Sequence, residues 1–460
     1  MIRFLVILLL AAGSPTLLAA GSPTVFEASA AHTGAHSNGR AMDDRALDGR
    51  AMDDRALDDR TLDDRAMEVY LLTMGPGDEV WELFGHNALL IRDPATGQEL
   101  AWNWGLFNFE DVDFIPRFLR GTMRYSMGPA ELGPFLDSYA RAGRTVWANR
   151  VNLTPQEAAE LDAFVRWNFL PENRPYIYDY FRDNCSTRVR DALDRVLGGV
   201  LRDAFEPRGT PLTWRWHARR MVQVTGWVDQ GLSFLLGTRG DAPISQWEAM
   251  FLPTELMELL EGFEMVRADG SATPLLGPRM VWVESGRPPV PETPPAFSAL
   301  WLLLGLGAAV ALAAVGRWAR EDREGARRIL AAAGSLWGVG TGILGGILLA
   351  SWWTDHVFIQ WNLNILYVSP LGLLLAVGLI PALIRRRWWR GLPGQVAVGA
   401  ALLVAITSVG GVLAQLTGLA VQGNAEVVSL AVPVNVVLAW ALWAARRAPP
   451  PGDEPGATLV

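Results

Sequence analysis

Apolar positions along this 460-residue chain fall into three regimes. From Glu68 to about Ser285 they come in short runs, and Val69–Met74, Asn87–Arg92 and Glu99–Trp104 read as alternating strands separated by turns such as Asp93-Pro94-Ala95-Thr96-Gly97. Thr154-Pro155-Gln156-Glu157 predicts a helix start, with Thr as N-cap and Pro in the first turn, and a second helix is predicted from Asp183-Asn184 with Val189, Leu193, Val196 and Leu197 on one face. Strands early and helices later predict an α+β domain over 68–285. The stretch 286–295, GRPPVPETPP, is a proline-rich hinge that cannot be helical. Beyond it lie five apolar runs: Ala296–Gly316, Ile329–Trp353, Ile365–Ile384, Val396–Leu416 and Val427–Ala445. Each has about the ~20 residues that cross ~30 Å of hydrocarbon, which predicts an all-α membrane bundle of five transmembrane helices over 296–447 and a tail over 448–460.

The third regime, at the N-terminus, carries no core pattern. Residues 1–30 run from Arg3 through FLVILLLAAG to Ala28-Ser29-Ala30 and read as a secretory signal peptide cleaved after Ala20 or Ala30. The alternative is an uncleaved anchor helix, and either version exports the domain from Glu68 onward. Residues 31–67 hold a five-residue repeat, RALDG-RAMDD-RALDD-RTLDD. A period of five matches neither helix nor strand, so this segment reads as a disordered acidic spacer rather than a binding tail.

Charge sets the orientation. All 40 basic residues are Arg, and the 48 acids leave a net charge of −8. This balance gives no basic patch for phosphates, so nucleic acid is not an expected partner. The connections 317–328 and 385–390 hold five and four Arg, whereas 354–364 and 417–426 hold none. By the positive-inside rule the Arg-rich connections and the C-terminus face the cytoplasm, and the 68–285 domain faces outward. The single Cys, Cys185, excludes a disulfide framework, a Cys-rich zinc site and a Cys-ligated cluster; no metal or cofactor is expected.

The candidate chemistry lies in Phe84-Gly85-His86-Asn87 and in Tyr178-Asp179-Tyr180-Phe181-Arg182-Asp183-Asn184-Cys185-Ser186-Thr187. Cys185 falls at a predicted helix N-terminus, where unpaired amides and the helix dipole favour a thiolate and lower its pKa. His86 begins an apolar strand after a Gly that leaves room beside the imidazole. A Cys and a His so placed can form an ion pair and shuttle a proton to a leaving group. Asn103, flanked by two Trp on the next strand, is the candidate to orient the imidazole, with Glu99 as its competitor. By residue type alone, a lone Cys is more often a small buried hydrophobe than a nucleophile, and a lone His after Gly more often a satisfied turn residue.

The patterns LFGHNALLIRDPATG, AWNWGLFNFED and YIYDYFRDNCSTRVRDALD resemble the bacterial family of membrane proteins with the Lnb N-terminal periplasmic domain, over about residues 68–210 and more loosely through Thr354-Asp355-His356 and Asn362-Leu363-Asn364. That family is similar to permuted papain-fold proteins, the circle of NlpC-like thiol hydrolases and lecithin:retinol acyltransferase. The resemblance implies a permuted papain-like exported domain in which Cys185 matches the nucleophile and His86 the base. It leaves the reaction open between amide hydrolysis, ester cleavage and acyl transfer. Part of the family is named for maturation of a secreted glycosidase.

The leading reading is therefore a periplasmic cysteine hydrolase or acyltransferase tethered to inner-membrane lipids and acting on an envelope substrate, a peptide, lipid or glycan conjugate. The alternatives are a non-catalytic maturation factor or scaffold for a secreted or membrane partner, and a lipid-binding membrane protein with structural His86 and Cys185. Trp102, Trp104, Phe107, Phe109 and Phe114 read as core packing before they read as a groove. Trp214, Arg215, Trp216, His217, Arg219 and Arg220 suggest a basic amphipathic helix, either on headgroups or solvated. Leu256, Leu259 and Leu260 read as ordinary helix burial. Asp355, His356, Asn362 and Asn364 put an ionisable pair and two amides into an outer connection, more than Trp anchoring requires, and are expected to pack on the exported domain or serve its site.

Overall fold

The computed structural model describes residues 67–108, 111–267, 269–321, 324–383 and 391–447. The expected signal 1–30, all but Met67 of the spacer, the 385–390 connection and the tail 448–460 lie outside the described residues. The chain forms two compact units. The first comprises the residues up to Asp111 with Arg124–Glu206 and Met250–Pro288; the second comprises Val112–Met123, Pro207–Ala249 and the residues from Pro289 onward. The stretch read from sequence as one exported block, 68–285, thus contributes 112–123 and 207–249 to the unit that holds the apolar helices.

The first unit is built on a seven-stranded sheet. Its strands are β1 (Glu68–Met74), β2 (His86–Asp93), β3 (Gln98–Leu106), β4 (Arg124–Glu131), β5 (Val146–Val151), β6 (Pro175–Ile177) and β7 (Met280–Val283). Their spatial order is β7-β5-β1-β2-β3-β4-β6, and every neighbouring pair is antiparallel. The three expected strands are present, but they do not alternate between a wet and a dry face. Leu71 and Leu72 in β1 and Ala88, Leu89 and Leu90 in β2 are all fully buried, because these are central strands covered on both faces. One face carries Leu72, Met74, Ala88, Leu90, Ala101, Val146 and Ala148 against Leu132 and Phe135 of α1 (Leu132–Arg141). Strands and helices also interleave, and the last strand, β7, comes just before the hinge.

Local signals fix the helix starts. Thr154 caps α2 (Pro155–Asn168) in a reciprocal box with Glu157. Asn184 caps α3 (Cys185–Val196) in a second box with Thr187, and Cys185 is the first helical residue. Gly286–Pro295 has neither helix nor strand.

Among the described residues the second unit holds α4 (Trp214–Val222), α5 (Gly226–Leu235) and five helices long and apolar enough to cross a membrane. These are α6 (Ala299–Arg320), α7 (Glu324–Ala350), α8 (Leu371–Leu379, within the apolar span Leu363–Leu383), α9 (Leu392–Leu416) and α10 (Ala425–Arg447). Their association uses small residues, as expected where lipid and side chains are equally apolar: a Cβ on Gly338 of α7 would stand 2.5 Å from the Gly372 carbonyl of α8.

Candidate active site

Strand register brings the candidate residues of the first unit to one end of the sheet. Met74 pairs with His86 on one side and with Val146 on the other, while Ala88 pairs with Asn103. Paired residues and those two apart share a face, so His86 and Asn103 project from the same side. The turn before His86 depends on Gly85, whose φ is +81° and whose added Cβ would stand 2.6 Å from the Met74 carbonyl. The glycine is needed for the backbone turn, a different reason from the space beside the imidazole expected from sequence.

His86 Nε2 lies 3.2 Å from Asn103 Oδ1, and the Asn103 amide nitrogen donates to the Ala101 carbonyl at 2.9 Å. The amide oxygen can only accept, so His86 Nε2 carries the proton and Nδ1 remains as the basic nitrogen. Glu99, the competitor, is directed elsewhere and pairs with Arg92 at 2.6 Å. Asn103 is 3% exposed, so its orientation is fixed by packing as well as by hydrogen bonds.

Cys185 is 8% exposed and held from behind. The Asn184 side chain accepts from the Ser186 and Thr187 amides at 2.9 Å each, and donates to the Tyr180 and Phe251 carbonyls. Ser186 Oγ donates to the Met250 carbonyl at 2.7 Å. The preceding turn is closed by reciprocal backbone bonds between Asp179 and Asp183, and Asp183 is ion-paired with Arg188. The Cys185 sulfur is met by the amides of Asn87, Ser186 and Cys185 itself, and Asn87 is the residue after His86. Gly105, two residues beyond Asn103, has φ +97°, and a Cβ there would touch the Cys185 Cβ at 3.8 Å. His86, Asn103 and Cys185 thus stand on β2, on β3 and at the start of α3, with Asn87 and Gly105 as the neighbours that link the strands to Cys185.

The electrostatics differ from the sequence expectation. Burial pushes the Cys185 thiol above its ordinary value, outweighing the three amides and the nearby Arg144 charge. His86 is lowered to about 4, first by burial and then by Arg144, against the Asn103 hydrogen bond that favours its charged form. Both shifts favour the neutral forms, a thiol at Cys185 and an imidazole at His86, over the expected thiolate–imidazolium pair. A helix N-terminus is a local feature, and here tertiary burial is the larger effect.

Further groups, to which the sequence assigns no role, surround these residues. Arg144, 5% exposed, donates from Nε to the Gly75 carbonyl at 2.9 Å and from Nη1 to Glu82 at 3.1 Å, with its guanidinium over the Tyr139 ring. On the other side stands an aromatic wall. Tyr125 packs edge-on to Tyr178 at 4.1 Å and to Phe107 at 4.9 Å, and Tyr178 packs on Tyr180 at 5.2 Å. Burial raises the phenols of Tyr176 and Tyr178, and the nearby Cys185 raises them further. The repeated Tyr in YIYDY is the available sequence signal. Trp102 and Trp104 are core, Trp104 donating to Asn168 at 2.9 Å; Phe114 lies in the second unit and Phe109 outside the described residues. Among the described residues no group of three or more His, Cys, Asp or Glu is placed to hold a metal.

Within the second unit the connection 354–364 is firmly docked. His356 Nε2 lies 2.7 Å from the Phe118 carbonyl, and the Asp355 amide donates to the Arg120 carbonyl at 2.7 Å. Asn362 donates to the Phe234 and Leu235 carbonyls, and Asn364 to Phe234. These residues pack on 112–123 and 207–249, segments read from sequence as part of the exported domain. The α4 helix is neither a headgroup-binding surface nor solvated. His217 is 1% exposed, Arg215 is paired with Asp241 at 2.7 Å, and Arg219 is paired with Asp229 and Glu426.

Residues 54–220 match the family model of the Lnb N-terminal periplasmic domain. No curated protein and no solved structure matches the chain. A periplasmic-type domain together with five apolar helices makes this a multi-pass membrane protein.

Proposed function

We propose that this chain is a cysteine hydrolase or acyltransferase of the bacterial envelope, with a permuted papain-like exported domain. Cys185 is the nucleophile, His86 the base and Asn103 the group that orients it. The reading is carried by one arrangement: Asn103 holds His86 by Nε2, and the amide of the next residue, Asn87, meets the Cys185 sulfur. The Arg-rich connections support a cytoplasmic C-terminus and a Cys185 domain on the outer face of the inner membrane. Inner-membrane lipids surround the helices, and the substrate is an amide or ester of the envelope: a peptide, lipid or glycan conjugate.

The chemistry starts from the neutral pair. As sulfur forms a bond to the carbonyl carbon, its proton passes to His86 Nδ1 and the carbonyl π pair moves to oxygen. The Cys185 amide, which the Asn184 side chain does not take, is the donor for that developing oxyanion. Collapse expels an amine or alcohol, which takes the proton from His86 and leaves a thioester on Cys185. Water or an acceptor hydroxyl or amine then attacks, His86 removes its proton, and the thiol is restored.

The second reading, a maturation factor or scaffold using the same fold for binding, is favoured by the burial of Cys185 and its raised thiol pKa. Acylation distinguishes the two. The chain has a single cysteine, so p-nitrophenyl acetate treatment of spheroplasts followed by intact mass reports on one thiol. A catalytic pair should be acylated with a low-pH limb near the His86 value of about 4. His86→Ala should slow acylation by about 100-fold, the ordinary worth of a positioned base. Acylation that rises only above about pH 8.5, where a free thiol ionises, or that ignores His86→Ala, would give the site to the binding reading.

A further inference from the structure

The guanidinium of Arg144 is buried at the His86 end of the sheet with part of its donor capacity unused. Nε and Nη1 are accounted for by the Gly75 carbonyl and the Glu82 carboxylate, whereas Nη2 is buried with no hydrogen-bond partner among the described residues. A buried unsatisfied donor on a charged group is costly, so a fold that keeps one at a reactive site holds it for a ligand. The placement agrees with that. Arg144 lies two residues before Val146, the first residue of β5; Val146 pairs with Met74, and Met74 pairs in turn with His86. Its charge acts on His86 and Cys185 alike. Tyr139 stacks beneath the guanidinium, 4.9 Å from its carbon, and fixes its plane. Glu82 occupies one nitrogen, which leaves the two Nη2 hydrogens as donors to one further acceptor.

From this geometry we infer that Arg144 is a specificity-determining residue: its Nη2 receives an anionic oxygen, of a carboxylate or a phosphate, carried by the acyl substrate close to the scissile carbonyl. The inference rests on the proposed nucleophilic role of Cys185 and names the substrate class for it. The preferred substrate has an anionic group on the Arg144 side, with the Tyr125–Tyr178 wall available to an apolar or ring-bearing portion on the other.

Two alkylating reagents of similar size test it on the full chain in nonionic detergent at pH 9. Iodoacetate carries the anion and iodoacetamide does not, so the ratio of their rates at Cys185 reads the subsite and cancels thiol ionisation. Arg144→Gln should lower the iodoacetate-to-iodoacetamide ratio roughly tenfold, the worth of one charge-assisted hydrogen bond. Glu82→Gln, which removes the competing carboxylate, should raise the ratio and keeps the test alive if Arg144→Gln fails to fold. Protection of wild type from iodoacetamide by acetate identifies a carboxylate site, and protection by inorganic phosphate a phosphate site. A ratio unchanged in either folded variant overturns the inference while leaving the nucleophile reading intact. Cys185 inert to both reagents overturns that reading and this one with it.

Discussion

Each unit buries a cluster of amides and charges, around 354–364 in the second and at the His86 end of the sheet in the first, and these two clusters differ in how completely they are satisfied. In the second unit Asn362 Oδ1 accepts from Asn364 N at 2.9 Å and from Gln422 Nε2 at 2.8 Å, while its own amide donates to Phe234 and Leu235. Asn424 donates to Asn364 Oδ1 at 2.8 Å, and Gln422 Oε1 accepts from the Leu363 amide. At the sheet end of the first unit, by contrast, Asn87 Oδ1, Arg144 Nη2 and the Tyr176 hydroxyl have no partner among the described residues. A closed network holds one conformation and offers nothing to a ligand; an open one keeps donors and acceptors in reserve. The amides around 354–364 are on this ground structural, and the proposed chemistry belongs with the groups around Cys185.

The largest effect is expected where the second unit's network carries charge. Arg219 stands between Asp229 and Glu426, whose side chains are 4% and 9% exposed. Arg219→Met leaves two buried carboxylates without a cation and should cost about 3–5 kcal/mol. Thermal unfolding in detergent measures this, with Cys185 acylation in the folded fraction as the second readout. Loss of acylation without loss of stability would break the assignment of these residues to structure.

Acid is expected to act on both units through histidine. His86 and His217 are each lowered to about 4 by burial, with Arg144 and Arg220 adding to the effect. Between about pH 6.5, where an unfolded histidine titrates, and about pH 4 the unfolded chain binds protons that the folded chain does not. Stability is therefore full above pH 6.5, falls as pH drops toward 4 and levels off below. Each histidine contributes on the order of 3 kcal/mol to that loss. His86→Gln and His217→Gln should each flatten the fall of melting temperature with acid; a slope identical to wild type in either would show that histidine to be solvated.

The parts of this fold legible in the sequence are those set by neighbours in the chain. Thr154-Pro155 and Asn184-Cys185 announce helix starts because capping is local, and the five spans follow from unbroken apolar length. His86 and Cys185 are legible as types at strand and helix starts, and Asn103 as an amide on the adjoining strand. The hidden parts depend on distant pairing. Arg144 and Glu82 meet across 62 positions, and no periodicity in either segment signals it. His356 and Phe118 are 238 positions apart, so the partner of the outer connection cannot be chosen from sequence. A low Cys185 pKa is the sequence expectation because the dipole is local; desolvation, which dominates, belongs to the assembled fold.

The smallest effect concerns Asn103, and it separates orientation from simple packing. Asn103→Ala removes one hydrogen bond to His86 and should cost about 1 kcal/mol of stability. Acylation of Cys185 should fall by about tenfold, less than for His86→Ala, because the base remains but its ring is free to turn. The pH profile gives the sharper reading. The Asn103 carbonyl favours the charged imidazole, so its loss should move the low-pH limb below the wild-type value of about 4. Asn103→Asp puts a carboxylate at the same atom, stabilises the imidazolium and should move the limb upward. Opposite displacements in the two variants follow only if Asn103 acts through His86 Nε2. A limb that stays in place in both would reduce Asn103 to a core amide and leave His86 without an orienting partner.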